Sequence, residues 1–132
     1  PWPPPSPDPG LANIRGLAVS HGGLVSKDSG VPVLAFLRNG RARIFQNPRR
    51  DQITKFREAV PGWARVLENG VVLGDGEKVS RLAPRTGYGL SHDGRFLIVI
   101  TVDGRQNLHS EGCTVHELGE LLLHFGATDG MN

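Results

Sequence analysis

The run Phe96-Leu97-Ile98-Val99-Ile100-Thr101-Val102 ends in Asp103-Gly104-Arg105 and is followed by Thr114-Val115-His116-Glu117-Leu118 and Phe125-Gly126; this stretch decides the fold. The first segment is uncharged, rich in β-branched residues and apolar at every phase. It predicts a central strand covered on both faces, and Asp103-Gly104 predicts its end. Thr114-x-x-Glu117 is a capping box: the Thr114 hydroxyl accepts from the Glu117 N–H, and the Glu117 carboxylate accepts from the Thr114 N–H. Leu118, Leu121, Leu122 and Phe125 then recur at helical spacing as a core stripe. Gly126 stands where a left-handed residue closes a helix. A helix on a buried strand is the frame this segment predicts.

The segments around it read as hairpins. Thr86 to Ser91 is a strand whose Gly87 and Gly89 predict that something approaches its backbone closely, and Asp93-Gly94 turns it into the apolar run. Asn69-Gly70 joins strands at Trp63–Leu67 and Val71–Leu73. Asn39-Gly40 joins Val31–Leu37 to Ala42–Phe45, and His21-Gly22-Gly23 joins two short strands on either side of it. Asp51 to Ala59 predicts a helix, with Asp51 as cap, Ile53, Phe56 and Val60 as its stripe and Pro61-Gly62 as its stop. Asp75 to Leu82 reads as a loop. Pro1 to Pro9 is too proline-dense for a helix or an inner strand. The expected organisation is a proline-rich arm or loop over residues 1–15 and one domain over 16–132. The expected class is α+β: a mixed, mostly antiparallel sheet with hairpins and two helices, one packed on a central buried strand.

Composition narrows the function classes. The chain has 132 residues, enough for one domain, with 18 Gly and 10 Pro favouring turns over long helices. No apolar run approaches the ~20 residues of a helical membrane span. A single cysteine, Cys113, rules out an internal disulfide and a polycysteine metal site. Its place before a helix N-terminus allows an activated thiol; the preferred reading is a small buried residue. The five histidines show no metal-ligand spacing, and no cofactor is expected. The net charge of +2 is concentrated in Arg38, Arg41, Arg43, Arg49, Arg50, Lys55 and Arg57. Without interleaved aromatics for base stacking, this reads as a solvated charged face rather than a nucleic-acid platform.

The ordered set Arg85-Thr86-x-x-Gly89, an apolar strand, Asp103-Gly104-Arg105, Gly112-x-Thr114-x-x-Glu117-Leu118 and Gly126-Ala127-x-Asp129-Gly130-x-Asn132 resembles the phosphodiester glycosidase family. The likeness is strongest over Pro84–Asn132; Gly16–Leu82 shares only the hairpin rhythm. Gly87 stands where the family usually has Ala. The family's Asn-Gly-Gly-Phe-Phe and Leu-Asp-Gly-Gly-Gly-Ser segments are not in this sequence, so the resemblance implies a piece of that domain, with flanking segments missing.

The resemblance implies hydrolysis of a sugar-1-phosphodiester, releasing the sugar and a phosphomonoester. A carbohydrate phosphodiester would be the substrate, and the location secreted, cell-surface or lumenal. Such chemistry needs cations to hold the phosphate, a carboxylate to activate water or stabilise the oxocarbenium-like state, and polar groups for the sugar. The implied catalytic residues are Asp103, Glu117, Arg85 and Arg105. Thr86, Gly89, Gly104, Asn132 and His92 are the implied substrate contacts, His92 as a candidate proton shuttle. Several have a plainer reading: Glu117 as a cap, Asp103 as a strand-ending turn, the arginines as surface residues. The alternative function is a non-catalytic glycan- or phosphoglycan-binding domain on the same fold.

Overall fold

The computed structural model describes residues 14–27, 30–74 and 81–132. The predicted proline arm at Pro1–Pro9 and most of the Asp75–Leu82 loop lie outside the described residues. The chain divides into two compact units, one running to Trp63 and the other from Ala64. Each is a five-stranded antiparallel sheet with a helix, so the α+β class and the two helices are as expected.

The first unit contains β1 (Leu17–Ser20), β2 (Gly23–Lys27), β3 (Pro32–Leu37), β4 (Ala42–Gln46), α1 (Arg50–Ile53) and β5 (Phe56–Pro61), in sheet order β2-β1-β5-β3-β4. Its core is Leu17, Val19, Val33, Ala35, Phe56 and Ala59, with Leu37, Phe45 and Ile53 packed against it. The predicted Asp51–Ala59 helix is corrected here. Only one turn, Arg50–Ile53, is helical, and the rest is β5, the middle strand. The misleading signal has a physical cause. Leu37 faces Phe56 while Phe36 faces Glu58, so Arg57 is an extra residue bulged out of the β3–β5 ladder. The bulge brings Phe56 and Ala59 into the core three positions apart, which imitates helical spacing.

The second unit contains β6 (Arg65–Glu68), β7 (Val71–Val72), β8 (Arg85–Leu90), β9 (Leu97–Val102), α2 (Val115–His124) and β10 (Asp129–Met131), in sheet order β7-β6-β10-β8-β9. Asn69 and Gly70 both have positive φ, 49° and 78°. That is the left-handed pair which a two-residue hairpin between Glu68 and Val71 requires. The apolar run is β9, at the sheet edge rather than its centre. Its burial alternates: Ile98 and Ile100 pack against the core, while Leu97 and Val99 are exposed. The central place belongs to β10, whose Gly130 and Met131 are buried. Its three residues are too few to show a hydrophobic period in the sequence.

Helix α2 starts and ends as its sequence dictates. Thr114 Oγ1 accepts from the Glu117 N–H at 3.1 Å, and Glu117 Oε2 accepts from the Thr114 N–H at 2.7 Å. At the other end Gly126 has φ +95°, its N–H donates to the Leu123 carbonyl, and the Ala127 N–H donates to that of Leu122. This is a Schellman closure. The buried face is Val115, Leu118, Gly119 and Leu122; Leu121 is half-buried, and Phe125, expected in the stripe, is 61% exposed.

The helix packs closely on the sheet because both surfaces lack side chains at the contact. A Cβ on Gly87 would meet the Leu118 tip at 2.9 Å, and one on Gly89 would meet Ala127 Cβ at 2.7 Å and Leu122 Cδ2 at 3.0 Å. One on Gly130 would meet Leu122 Cδ1 at 2.8 Å. From the helix side, a Cβ on Gly119 would lie 2.6 Å from the Val66 carbonyl oxygen. The close approach predicted at Gly87 and Gly89 is therefore that of α2.

These contacts predict opposite outcomes for two glycine-to-alanine changes. Gly119→Ala gains about 1 kcal/mol of helix propensity. It also drives a methyl into a backbone oxygen that cannot rotate away, and overpacking costs about 1–3 kcal/mol. Denaturant unfolding is expected to show net destabilisation. Gly87→Ala meets only the flexible end of Leu118 and is expected to change stability by less than about 1 kcal/mol. Equal effects at the two positions would contradict the packing described. Thr114→Ala is expected to cost about 1 kcal/mol through loss of the cap, with Thr114→Ser retaining most of it.

Candidate functional site

The sequence-predicted residues gather mainly at one end of the second unit's sheet, where β8 begins, β9 ends and α2 begins. Arg85 faces Val102 in the β8–β9 ladder, so Asp103 follows directly beside it. Three backbone segments cross here. Ala83 pairs with Cys113 in an isolated bridge. A Cβ on Gly104 would lie 2.6 Å from the Pro84 nitrogen and 2.9 Å from the Gly112 Cα. Gly112, at φ +103°, has the Ala83 backbone where a side chain would stand. No larger residue fits that crossing without moving it.

Arg85 ties the crossing to the helix. Its Nε donates to the Cys113 carbonyl at 2.7 Å and its Nη2 to the Arg81 carbonyl at 2.9 Å. A guanidinium has five donors, so these bonds leave part of the fork for another acceptor. Glu117 is committed to the Thr114 N–H, and that hydrogen bond holds its carboxyl below the ordinary glutamate range. It is therefore ionised at neutral pH. Asp103 has an exposed side chain, and its carbonyl accepts from Ser110 Oγ at 2.7 Å.

Arg105 begins a small loop closed by reciprocal Gln106–Ser110 backbone hydrogen bonds. Arg105 and Leu108 have positive φ, 57° and 61°. Non-glycine residues in that region carry strain that concentrates at functional sites. Arg105 lines a cleft of about 330 Å³ with Leu82, Asn107 and Glu111. Glu117 lines another of about 420 Å³ with Cys113, Glu120 and His124. The predicted residues thus share one end of the sheet, but Arg105 and Glu117 open onto different clefts.

The remaining predictions divide. Thr86 lies on β8 between Arg85 and Gly87, so it projects from the face opposite α2. Asn132 follows β10, which runs antiparallel to β8, and its N–H donates to the Ala64 carbonyl at 3.0 Å. The Asn132 Oδ1 is buried with no hydrogen-bond partner among the described residues. His92 does not join the group: it sits in the turn after Leu90, at the far end of β8 from Arg85. A six-residue strand puts about 20 Å between the two ends. Gly89 has Ala127 and Leu122 over it, and Gly104 has Pro84 and Gly112. On the side where a Cβ would stand, both glycines serve close packing.

Cys113 is buried, and burial pushes its thiol up; Arg85 opposes that shift and the charge of Glu117 adds to it. The preferred sequence reading, a small buried residue, fits this environment. Sequence reasoning gave no role to Arg65. Its Nη2 donates to Asp129 Oδ1 at 2.6 Å and its Nη1 meets Glu68 at 3.0 Å, clipping β6 to β10. Asp129 was visible within the Gly126-Ala127-x-Asp129 motif, whereas nothing near Arg65 in the sequence marked it. Among the described residues, no group of three or more His, Cys, Asp or Glu gathers as a metal site. No helix among them is long and apolar enough to cross a membrane.

Comparison with known proteins bears on these observations. Among curated proteins, none matches the chain. A solved structure of the zebrafish N-acetylglucosamine-1-phosphodiester alpha-N-acetylglucosaminidase catalytic domain, auto-inhibited by its pro-peptide, matches with TM-score 0.75 at 18% identity. The match covers 95% of this chain and 47% of that one, so the chain spans about half the length of the solved relative. The sequence model of the phosphodiester glycosidase family matches residues 8–132, both units included, and the chain belongs to that family.

Proposed function

We propose that this chain supplies part of a site that hydrolyses a glycosyl phosphodiester, releasing a sugar and a phosphomonoester. The observation that carries this reading is the gathering of Arg85, Asp103, Arg105 and Glu117 at one end of a single sheet, in a chain of this family. The leaving group is a phosphate monoester, already stable as an anion, so the reaction asks little of a general acid. It asks for positive charge on the phosphate and a carboxylate at the anomeric carbon or its attacking water.

The local geometry divides those tasks. Arg105 is exposed on a strained turn, free to clamp a phosphate with its planar fork. Arg85 spends two donors on carbonyls and acts first as a positioning residue that holds the Cys113 segment. Asp103, exposed, is the carboxylate proposed to activate water. Glu117 is held ionised by the cap and contributes fixed negative charge near an oxocarbenium-like centre. A secreted or lumenal location belongs to the same reading.

A second reading, binding of a phosphoglycan without turnover, is favoured by one observation: Arg105 and Glu117 line different clefts. An assay of sugar released from a sugar-1-phosphodiester by the full-length protein separates the two. Under the enzymatic reading, Asp103→Asn is expected to lower kcat by about 10²–10⁴. Arg105→Ala is expected to lower kcat/KM by about 10²–10³, and His92→Ala to leave both unchanged. Activity surviving in both Asp103→Asn and Arg105→Ala would sink the role assignment, and saturable binding with no release would support the second reading.

The Glu117 cap also makes a pH prediction. A carboxyl whose folded pKa is depressed adds stability that is full above its unfolded pKa and is lost as pH falls through the folded one. Starting from the ordinary value of 4.5, Tm is therefore expected to fall more steeply below pH 4.5 in the wild-type chain than in Glu117→Gln. Parallel Tm profiles for the two proteins would show that the cap is not titrating.

A further inference from the structure

The basic stretch Arg38–Arg57 reads in the sequence as a solvated charged face, and in the structure part of that exposed face borders a cleft. Arg41 and Arg43, beside and within β4, and Lys55, after α1, border one cleft of about 260 Å³. Asn39 and Gln52 complete its polar wall, and Leu37 and Phe45 form its floor. Among the described residues, no carboxylate lines it. The side chains of Arg41, Arg43 and Lys55 make no hydrogen bond or ion pair among the described residues. Their neighbours are occupied: Arg49 meets Asp51 at 3.1 Å, and Arg38 Nε donates to the Thr54 carbonyl at 3.4 Å.

The backbone under the three cations is fixed. The Leu37 N–H donates to the Arg41 carbonyl at 2.7 Å, and the Arg38 N–H to the Lys55 carbonyl at 3.0 Å. Arg43 faces the buried Ala35 in the β3–β4 ladder. Three like charges are thus held around one concavity by bonds that do not involve the charges themselves. Cations grouped around one concavity attract a multivalent anion, and arginine forks match the oxygens of a phosphate ester. The floor adds a second requirement. Phe45 rests against Phe56 with ring centroids 5.1 Å apart, so a fixed aromatic surface lies beside the charges.

We propose that the first unit carries a binding site for a small phosphomonoester, in which Arg41, Arg43 and Lys55 hold the dianionic phosphate and Phe45 and Leu37 take the ring it is attached to. The cleft volume suits a single ring and its phosphate rather than a polymer. A lone phenylalanine also gives no row of stacking platforms for a nucleic-acid strand.

The test is isothermal titration of the 132-residue chain with phenyl phosphate, inorganic phosphate and a single-stranded oligonucleotide. Phenyl phosphate is expected to bind saturably and more tightly than inorganic phosphate. Arg43→Gln and Lys55→Gln are each expected to weaken it about tenfold, the scale of one lost charge-assisted hydrogen bond. Arg49→Gln removes a charge outside the cleft and is expected to leave the affinity unchanged. Lys55 is exposed on a turn, so its variant carries the test even where Arg43→Gln does not fold. Equal losses in Arg49→Gln and Lys55→Gln would reduce the effect to general charge attraction and overturn the site. Absence of saturable binding, or tighter binding of the oligonucleotide, would overturn it as well.

Discussion

The second unit depends on one constraint, the absence of side chains where α2 meets its sheet. With Gly87, Gly89 and Gly130 beneath and Gly119 above, leucine tips reach the sheet backbone itself. Dispersion falls steeply with separation, so this intimacy yields close packing from few residues. Val66, Leu67, Leu118, Leu122 and Met131 are accordingly buried almost completely. The same geometry fixes the height of the helix above β8 and therefore where its N-terminus stands. A side chain at Gly119, where the Val66 carbonyl cannot give way, would lift the helix, and with it the Cys113 carbonyl that Arg85 grips.

That carbonyl links the core to the site. Arg85 Nε binds it at the foot of β8, Ala83 pairs with Cys113, and Gly104 and Gly112 let the other two strands of chain pass. Asp103 and Arg105 flank one of these glycines, and Glu117 stands one turn beyond the crossing. Their placement follows from backbone contacts that tolerate no Cβ, not from contacts among the charged groups. In the proposed reaction this is useful: polar groups held by a rigid scaffold need no reorganisation as charge develops.

Much of this was legible in the sequence, and the failures are instructive. The Asn-Gly turn and the α2 cap read correctly because their signals are local, whereas Asp51, expected as a cap, lies inside α1, whose N-cap is Arg49. Asn69-Gly70 needs two left-handed residues in a row, and Thr114-x-x-Glu117 closes on itself within one turn. Gly87 and Gly89 correctly announced a close neighbour, but not that it was the helix. Periodicity failed where a bulge altered it: Arg57 displaced the β5 pattern and made a strand resemble a helix. It failed again at β9, where an apolar run on an edge strand imitated a central one. His92 was drawn toward the site by its nearness to Arg85 along the chain. In an antiparallel hairpin such nearness is misleading, because the turn lies at the opposite end from the strand's start.

The two carboxylates illustrate how environment separates groups of the same chemistry. The Glu117 carboxyl is held below its ordinary range by a backbone N–H fixed 2.7 Å from its oxygen, an arrangement that also starts the helix. A proton on it would forfeit that hydrogen bond, so its basicity is low and its charge constant through the neutral range. The Asp103 side chain is exposed rather than spent on a cap. A base must accept a proton and release it, and the group already spent on the fold is the poorer candidate. The helix cap therefore does more than stabilise α2. By engaging Glu117 it leaves the exposed Asp103 side chain without that commitment, and the proposed division of roles rests on this difference.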